Sequence, residues 1–414
     1  MSAANLPSAQ RIWDHAEALG KLSELEGGLR RVYLSLVQRA ANVLVTGWMR
    51  EAGMSARLDA AGNVVGRYEG ERPALPCLIL GSHLDTVRDA GKYDVMLGVI
   101  AAIECVRTLH ARAKRLPFAI EVIGFADEEG TRFNATLLGS RAVAGTFKPE
   151  VLANVDKDGV SMREAMRGFG LDPARIGEAA HQREDVLAYA ELHIEQGPVL
   201  EAEDLPVGVV TAINGATRFA VEVHGLAGHA GTVPMGLRQE ALAAAAECVL
   251  AIERRCAAEP ELVGTVGKLE CLPGAVNVIP GRVKFTIDIR SPRDAQRLTA
   301  VKDVVEAMAA ICKRRNAVVT ATKTHEGGVA ACAPWLQQQI GDAIAAEGFL
   351  VRKLPSGAGH DGMAMIDLTD IGMLFVRCEK GISHNPAEAI TLDDVAVSAR
   401  VFLRFIEHFR PQAR

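Results

Sequence analysis

The sequence predicts an α/β fold with a central mixed, mostly parallel sheet. The apolar run at residues 77–80 is typical of a buried strand, and it ends in the polar turn 81–85. An apolar segment with helical spacing follows from Gly98, which is the strand-to-helix order of a parallel sheet. A second such strand is predicted at 118–126, and it ends in the acidic turn 127–129. Because the carboxyl ends of parallel strands share one edge of a sheet, we expect both turns there.

A different pattern occupies the middle of the chain. Apolar and polar residues alternate at 282–290, which is typical of an antiparallel strand with one solvated face. An alanine-rich helix is predicted at 239–255. We therefore expect an inserted α+β domain at 211–328, placed within an α/β domain formed by 1–210 and 329–414.

The remaining elements follow the same two periodicities. Helices are expected before residue 60 and from Leu392, where apolar residues recur at helical spacing. Short apolar runs predict strands at 63–68, 349–354 and 372–376.

Composition excludes several classes of protein. The 414 residues carry a net charge of −5, so a general nucleic-acid-binding surface is not expected. The eight cysteines are scattered without a CxxC pair, which favours free thiols in a reducing compartment. The first residues lack the features of a signal peptide, and no run of about 18 apolar residues occurs. We expect a cytoplasmic protein that does not span a membrane.

The turn after the first strand contains candidate metal ligands. His83 and Asp85 are two residues apart, so in an extended backbone they point to the same side. This arrangement suits an imidazole ligand whose second ring nitrogen is held by a carboxylate. Asp94 lies a short loop away, where its carboxylate could bridge two ions. The same residue types also serve turns and caps, so this stretch alone leaves both interpretations open.

Candidate partners of the right chemistry recur later in the chain. Glu128 and Glu129 would repel each other in a desolvated site unless a metal lay beside them, although a solvated acidic turn is the alternative. With a metal present, one glutamate could ligate while the other accepts a proton from water. A third strand, at 187–196, would bring Glu191, His193 and Glu195 to one face.

Seven motifs, in this order, carry a resemblance to a known family. They are GSHLDTV, DEEGTRF, ELHIEQGP, GHAGTVPM, NVIPGRVKFTIDIR, SGAGHD and GISHNPAE. Together they resemble the M20 metallohydrolase superfamily, and specifically its hydantoinase/carbamoylase branch. This branch contains N-carbamoyl-L-amino acid hydrolases, allantoate amidohydrolases and β-ureidopropionases.

The resemblance implies a di-metal catalytic domain and an inserted lid/dimerisation domain. His83 and His193 would hold one divalent ion, Glu129 and His384 the other, and Asp94 would bridge them. The ions would be Zn²⁺ or Mn²⁺, with Co²⁺ or Ni²⁺ as alternatives, because mixed imidazole and carboxylate ligation suits all four. The same resemblance implies a homodimer formed through the inserted domain.

The resemblance also implies roles for residues around the metals. Glu128 would be the general base, and Asp85 the carboxylate that orients His83. His229 would stabilise the developing oxyanion. The positions that match substrate-binding residues are Gln196, His229, Asn277, Arg290, Gly359 and His360.

The sequence departs from the family at one position beside the bridging aspartate. The family usually has glycine after it, whereas Val95 follows Asp94 here. Valine does not readily adopt positive φ, and it adds bulk beside the bridge. We expect a reshaped loop or an altered substrate preference.

The sequence therefore predicts a metal-dependent amidohydrolase that acts on the N-carbamoyl group of a small carboxylate. An N-carbamoyl-L-amino acid is the first candidate substrate, giving the amino acid, CO₂ and ammonia. Allantoate, a ureido carboxylate with a second arm, is the alternative within the class. A catalytically silent metal-binding dimer is the alternative outside it.

Overall fold

The computed structural model describes residues 6–94 and 96–412. The chain divides into two compact units. The first unit contains the described residues of Met1–Thr211, Ala331–Leu354 and Ala358–Arg414, and the second contains Ala212–Ala330 and Pro355–Gly357.

The strands and helices are numbered in chain order. The strands are β1 (Ser55–Leu58), β2 (Val64–Tyr68), β3 (Cys77–His83), β4 (Ala119–Phe125), β5 (Val186–Ile194), β6 (Val207–Ile213), β7 (Gly215–His224), β8 (Gly228–His229), β9 (Val263–Thr265), β10 (Leu269–Leu272), β11 (Val278–Ile279), β12 (Arg282–Ser291), β13 (Val318–Gly327), β14 (Ala330–Ala331), β15 (Lys353–Ser356) and β16 (Ile371–Val376). The α-helices are α1 (Ala9–Gly20), α2 (Leu36–Glu51), α3 (Met96–Ala111), α4 (Leu138–Val143), α5 (Met162–Phe169), α6 (Val199–Ala202), α7 (Ala241–Ala257), α8 (Asp294–Arg314), α9 (Pro334–Ala346), α10 (Gly362–Met365) and α11 (Leu392–His408).

The first unit is organised around a mixed sheet. Its strands lie in the order β1-β2-β4-β3-β5-β16-β6-β14, and β15 pairs with β6. The central strands β4, β3, β5 and β16 are parallel to one another. The flanking pairs β1–β2, β2–β4 and β16–β6 are antiparallel. The predicted α/β class with a mixed sheet is thus confirmed, and the parallel pairing lies at its centre.

The central strands are buried along their whole length, as their continuous apolar runs predict. Every residue of β3 and β4 is buried. Helix α3 packs against them with nearly all of its side chains buried, including Val99, Ile100 and Ile103. Each such side chain contributes about 1.5–3 kcal/mol through burial. Gly98 allows this close packing, since a Cβ there would lie 2.2 Å from the carbonyl oxygen of Leu192.

A buried arginine joins the N-terminal segment to the end of β3. Arg31 is completely buried, and its guanidinium donates to the carbonyl oxygens of Leu84 (2.6 Å), Leu19 (3.0 Å) and Leu22 (3.1 Å). Its backbone N–H donates to the hydroxyl of Thr86 at 2.9 Å. Burial lowers the pKa of Arg31 to about 10, so it remains a cation at neutral pH. Hydrogen bonds from Arg31 therefore fix the turn after β3 to the N-terminal segment.

The second unit is an antiparallel sheet with two long helices. The sheet order is β10-β12-β7-β13, with β9 also paired to β12. Along β12, Val283, Phe285, Ile287 and Ile289 are buried while the intervening residues are not, as the alternation predicted. Their buried face packs in one core with residues of α7 and α8. Strands β8 and β11 form a separate two-stranded ladder.

Two predictions of secondary structure were wrong. The strand expected at 349–354 is instead β15, Lys353–Ser356, and the apolar residue Leu350 is 71% exposed. The region before residue 60 contains two helices and β1 rather than helix throughout. Within the part of the chain that the structure describes, no helix is both long and apolar enough to cross a membrane.

Candidate active site

The candidate residues of the first unit lie at the carboxyl edge of its parallel strands. His83 is the last residue of β3, and His193 is the last but one of β5. Glu128 and Glu129 follow the end of β4, and His384 follows the end of β16. Because these four strands are neighbours and run in the same direction, residues far apart in sequence meet at one edge.

Asp94 lies between two of the imidazoles. Its Oδ1 is 3.3 Å from Nε2 of His193, and its Oδ2 is 3.2 Å from Nε2 of His384. The side-chain amide of Gln196 donates to both oxygens at 3.1 Å. Asp94 and His193 are buried, whereas the side chain of His384 is half-exposed. A carboxylate whose two oxygens face different imidazoles is arranged as a bridging ligand would be.

Asp85 joins the turn after β3 to the turn after β4 by hydrogen bonds. Its Oδ1 accepts the backbone N–H of Glu128 at 3.0 Å, and its Oδ2 accepts that of Glu129 at 3.1 Å. The same Oδ1 lies 3.3 Å from Nδ1 of His83. Asp85 is completely buried. One carboxylate therefore fixes both the imidazole at the end of β3 and the pair of glutamates after β4.

Both strand-borne imidazoles present Nε2 to the centre of the cluster. Nδ1 of His193 lies 2.9 Å from the carbonyl oxygen of Ile194, which can only accept a hydrogen bond. Nδ1 of His83 faces the carboxylate of Asp85, which also accepts. These partners place the proton of each neutral ring on Nδ1 and leave Nε2 with a free lone pair. That lone pair is the one required for metal ligation.

The excess of buried carboxylates favours a divalent cation. Burial raises the pKa of Glu128 well above its ordinary value and raises that of Glu129 to about 7. Burial alone would also raise the pKa of Asp94, but the hydrogen bond with His384 keeps it below its ordinary value. A divalent ion among these groups would remove the repulsion that disfavours their ionised forms.

The positions of the ligand atoms fit such ions. His83, Glu128 and Glu129 form one group whose ligand atoms lie within 4.8 Å of one another, and Asp94, Glu129 and His384 form a second. Nε2 of His384 is 3.5 Å from Oε1 of Glu129. Mixed imidazole and carboxylate groups are suitable donors for Zn²⁺ or Mn²⁺.

A further buried group lies behind these residues. Glu191, His193 and His360 also have ligand atoms within 4.8 Å of one another. The ring of His360 is completely buried, 4.4 Å from that of His193 between centroids. Gly359 approaches the base candidate, since a Cβ on it would lie 3.5 Å from Oε1 of Glu128. Gly359 and His360, the two candidates from the SGAGHD motif, thus lie in the first unit beside the strand-end cluster.

The other candidates lie in the second unit. His229 in β8 is paired with Val278 in β11, which places Asn277 next to it, and both candidate side chains are exposed. Arg290 lies on a different sheet of this unit, on β12. Its Nε and Nη2 donate to the two oxygens of Asp288 at 2.9 Å, and its Nη1 donates to the carbonyl oxygen of Gly357 at 2.7 Å. These bonds use three of its five N–H groups and orient the guanidinium.

Sequence reasoning missed or misplaced some residues of the cluster. Glu195 was expected beside His193 on β5, but the strand ends at Ile194, and its carboxylate caps α6 by accepting the backbone N–H groups of Val199 and Leu200. The extended conformation is broken after Glu195, because Gln196 has a φ of +55°. The prediction about Val95 falls outside the described residues. Ser383 and Glu388 were not singled out, although both lie in the quoted GISHNPAE motif.

Comparison with known proteins agrees with the motif-based resemblance. Residues 79–408 match peptidase family M20/M25/M40. The N-carbamoyl-L-amino acid amidohydrolase of Geobacillus stearothermophilus is 42% identical over 393 residues, which are 95% of this chain and 96% of that protein. The allantoate deiminase of Arabidopsis thaliana is 40% identical over 420 residues, covering 94% of this chain and 80% of that protein.

A solved structure shows the same architecture. The amidase of the hydantoinase/carbamoylase family from Burkholderia multivorans superposes with a TM-score of 0.92 and 31% identity, covering 97% of this chain and 98% of that one. Sequence motifs, relatives and fold thus point in the same direction, and the chain belongs to peptidase family M20/M25/M40.

Proposed function

We propose that this protein is a metal-dependent amidohydrolase that removes the N-carbamoyl group of a small carboxylate, with an N-carbamoyl-L-amino acid as its substrate. The observation that carries the proposal is the buried Asp94, whose two oxygens face the imidazoles of His193 and His384. A carboxylate placed in this way can bridge two divalent ions, and a two-metal site can polarise an unreactive carbonyl and activate water. The products would be the amino acid, CO₂ and ammonia.

The ligands we propose are His83 and His193 for one ion, Glu129 and His384 for the other, and Asp94 between them. When bound, the two ions would polarise the ureido carbonyl and make the attacking water more acidic. Glu128 would take a proton from that water and deliver it to the leaving nitrogen, because a buried carboxylate with a raised pKa suits both transfers. Asp85 would keep Glu128 in place through its backbone N–H.

The second unit would supply the groups that recognise the substrate. Arg290, already oriented by Asp288, has N–H groups left for the substrate carboxylate, and Asn277 would assist it. His229 would donate to the developing oxyanion. Gln196, Gly359 and His360 would shape the site around the ureido group. We further propose a homodimer in which the second unit of one subunit completes the site of its partner.

Allantoate is the second candidate substrate. The specific observation in its favour is the 40% identity with a plant allantoate deiminase across 94% of this chain. The same proton transfer and the same carboxylate recognition would serve it, since allantoate also joins a ureido group to a carboxylate. The eight cysteines are free thiols in the structure, which supports a reducing, cytoplasmic setting for either reaction.

The proposal is tested by ammonia release from a panel of substrates. Protein loaded with Mn²⁺ or Zn²⁺ would be given N-carbamoyl-L-amino acids, N-carbamoyl-β-alanine and allantoate. We expect turnover of at least one N-carbamoyl-L-amino acid, loss of turnover on chelation, and no turnover by the Glu128→Gln variant. Turnover of allantoate alone would select the second candidate. Wild-type protein that binds metal and releases no ammonia from any of these compounds would instead be a silent metal-binding protein.

A further inference from the structure

The loop that ends in Asp94 is held by a second buried carboxylate. Glu388 is 4% exposed, and its Oε1 accepts the backbone N–H of Tyr93 at 2.8 Å and that of Asp94 at 2.7 Å. A buried backbone N–H group is costly to leave without an acceptor. The position of the Asp94 backbone therefore depends on a residue that lies almost 300 positions later in the chain.

The side chain of Asp94 is tied to the same glutamate through a serine. Oγ of Ser383 lies 2.9 Å from Oδ2 of Asp94 and 3.2 Å from Oε2 of Glu388. The amide of Gln196 donates to this Oγ at 3.1 Å. Glu388 thus contacts the backbone of Asp94 directly and its carboxylate through one intermediate hydroxyl. Both ends of the aspartate are constrained.

The loop is also packed closely against Glu388. A Cβ on Gly91 would lie 2.1 Å from Cδ of Glu388, which is far inside van der Waals contact. Only glycine leaves room for the loop to pass over the carboxylate at this distance. Loop and glutamate are therefore fitted to each other sterically as well as by hydrogen bonds.

We propose that Glu388 is a positioning residue of the metal centre, which sets the orientation of Asp94 towards the two imidazoles. This inference rests on the function proposed above. Partners of metal ligands typically change metal affinity by about 10–100-fold when they are removed. A residue that only stabilised the fold would lower the melting temperature without changing metal affinity.

The test measures Mn²⁺ binding rather than turnover. Protein stripped by a chelator would be titrated with Mn²⁺ in a calorimeter, and its melting temperature would be recorded. We expect Glu388→Ala to raise the Kd for Mn²⁺ by roughly 10–100-fold. Glu388→Gln should stay close to wild type, because its amide oxygen still accepts the two N–H groups. Gly91→Ala should weaken binding as Glu388→Ala does, since its Cβ displaces the loop.

A matched control separates positioning from stability. Glu104 is buried to the same degree (3% exposed), and it also accepts a backbone N–H, from Ser8 at 3.0 Å. Glu104→Ala should lower the melting temperature and leave the Kd for Mn²⁺ unchanged. If Glu388→Ala binds Mn²⁺ as wild type does, the positioning role is refuted while the proposed function stands. If wild-type protein binds neither Mn²⁺ nor Zn²⁺ in the same titration, both are refuted.

Discussion

Replacing Asp85 with asparagine would test whether the candidate site is organised as described. In the wild type, the two carboxylate oxygens accept the N–H groups of Glu128 and Glu129 and face Nδ1 of His83. An asparagine amide keeps one acceptor oxygen and turns an NH₂ group towards the remaining donors. At least one buried N–H then loses its partner, which costs about 1–3 kcal/mol.

This cost sets the size of the expected effect. At about 1.4 kcal/mol for each factor of ten, a loss of 1–3 kcal/mol corresponds to a decrease of roughly 5–150-fold in kcat/KM if it falls on the reactive geometry. The altered orientation of His83 should also reduce metal affinity, by roughly 10–100-fold. Kinetics of ammonia release at saturating Mn²⁺ would report the first effect, and elemental analysis of the dialysed protein would report the second.

Asp156 provides the control for this substitution. Its Oδ1 accepts the backbone N–H groups of Asp158 and Val160 at 3.0 Å, and its Oδ2 accepts from Arg132. Asp156→Asn therefore removes a comparable acceptor from the same unit without touching the candidate site. We expect it to lower stability and to leave kcat/KM unchanged. Equal losses of activity in the two variants, or wild-type metal content and activity in Asp85→Asn, would refute the assigned role of Asp85.

Three other predictions follow from the structure. Glu128→Gln should retain both ions and lose turnover by several orders of magnitude, whereas Glu129→Gln should lower the metal content; the reverse result in elemental analysis would exchange their roles. Arg290→Lys should keep fold and metal but lose roughly 2–4 kcal/mol in kcat/KM, because an ammonium cannot form two parallel bonds to a carboxylate; equal kinetics with N-carbamoyl amino acids would exclude this clamp. His15 stacks on Trp48, and burial lowers its pKa to about 4. As pH falls from 6.5 towards 4, the unfolded chain therefore binds a proton at His15 before the folded chain does, and the free energy of unfolding decreases. The stability of wild type relative to His15→Gln, measured by urea unfolding, should fall across that range, and a constant difference would contradict the assignment.

The strand-end motifs were predictable because their information is local. His83 lies at the end of one apolar run, and Glu129 lies just after the end of another. These two runs were enough to predict strands that end at the edge of the sheet. The order of the strands was not predictable in the same way. Strands β5 and β16 pair although the second unit separates them in the sequence, and no local pattern encodes such a pairing.

The residues that sequence reasoning missed have long-range roles. Glu388 acts on Tyr93 and Asp94, and its spacing within its own motif gives no sign of those partners. At 349–354, apolar composition predicted a strand, but Leu350 is exposed and the strand is Lys353–Ser356. Apolar content indicates a tendency towards burial, whereas strand preference also depends on the neighbours against which a side chain packs.

The discontinuity of the first unit has a consequence for how the chain folds during synthesis. Strand β5 can pair with β3 soon after it is made, but its other edge is covered only by β16, which follows the complete second unit. At about 5–20 residues per second, that buried and apolar edge must wait many seconds for its partner. Unpaired apolar edges invite pairing with other chains. The long segment Ala212–Ala330 of the second unit can fold during this interval, while the first unit stays exposed to aggregation until its last strand has been made.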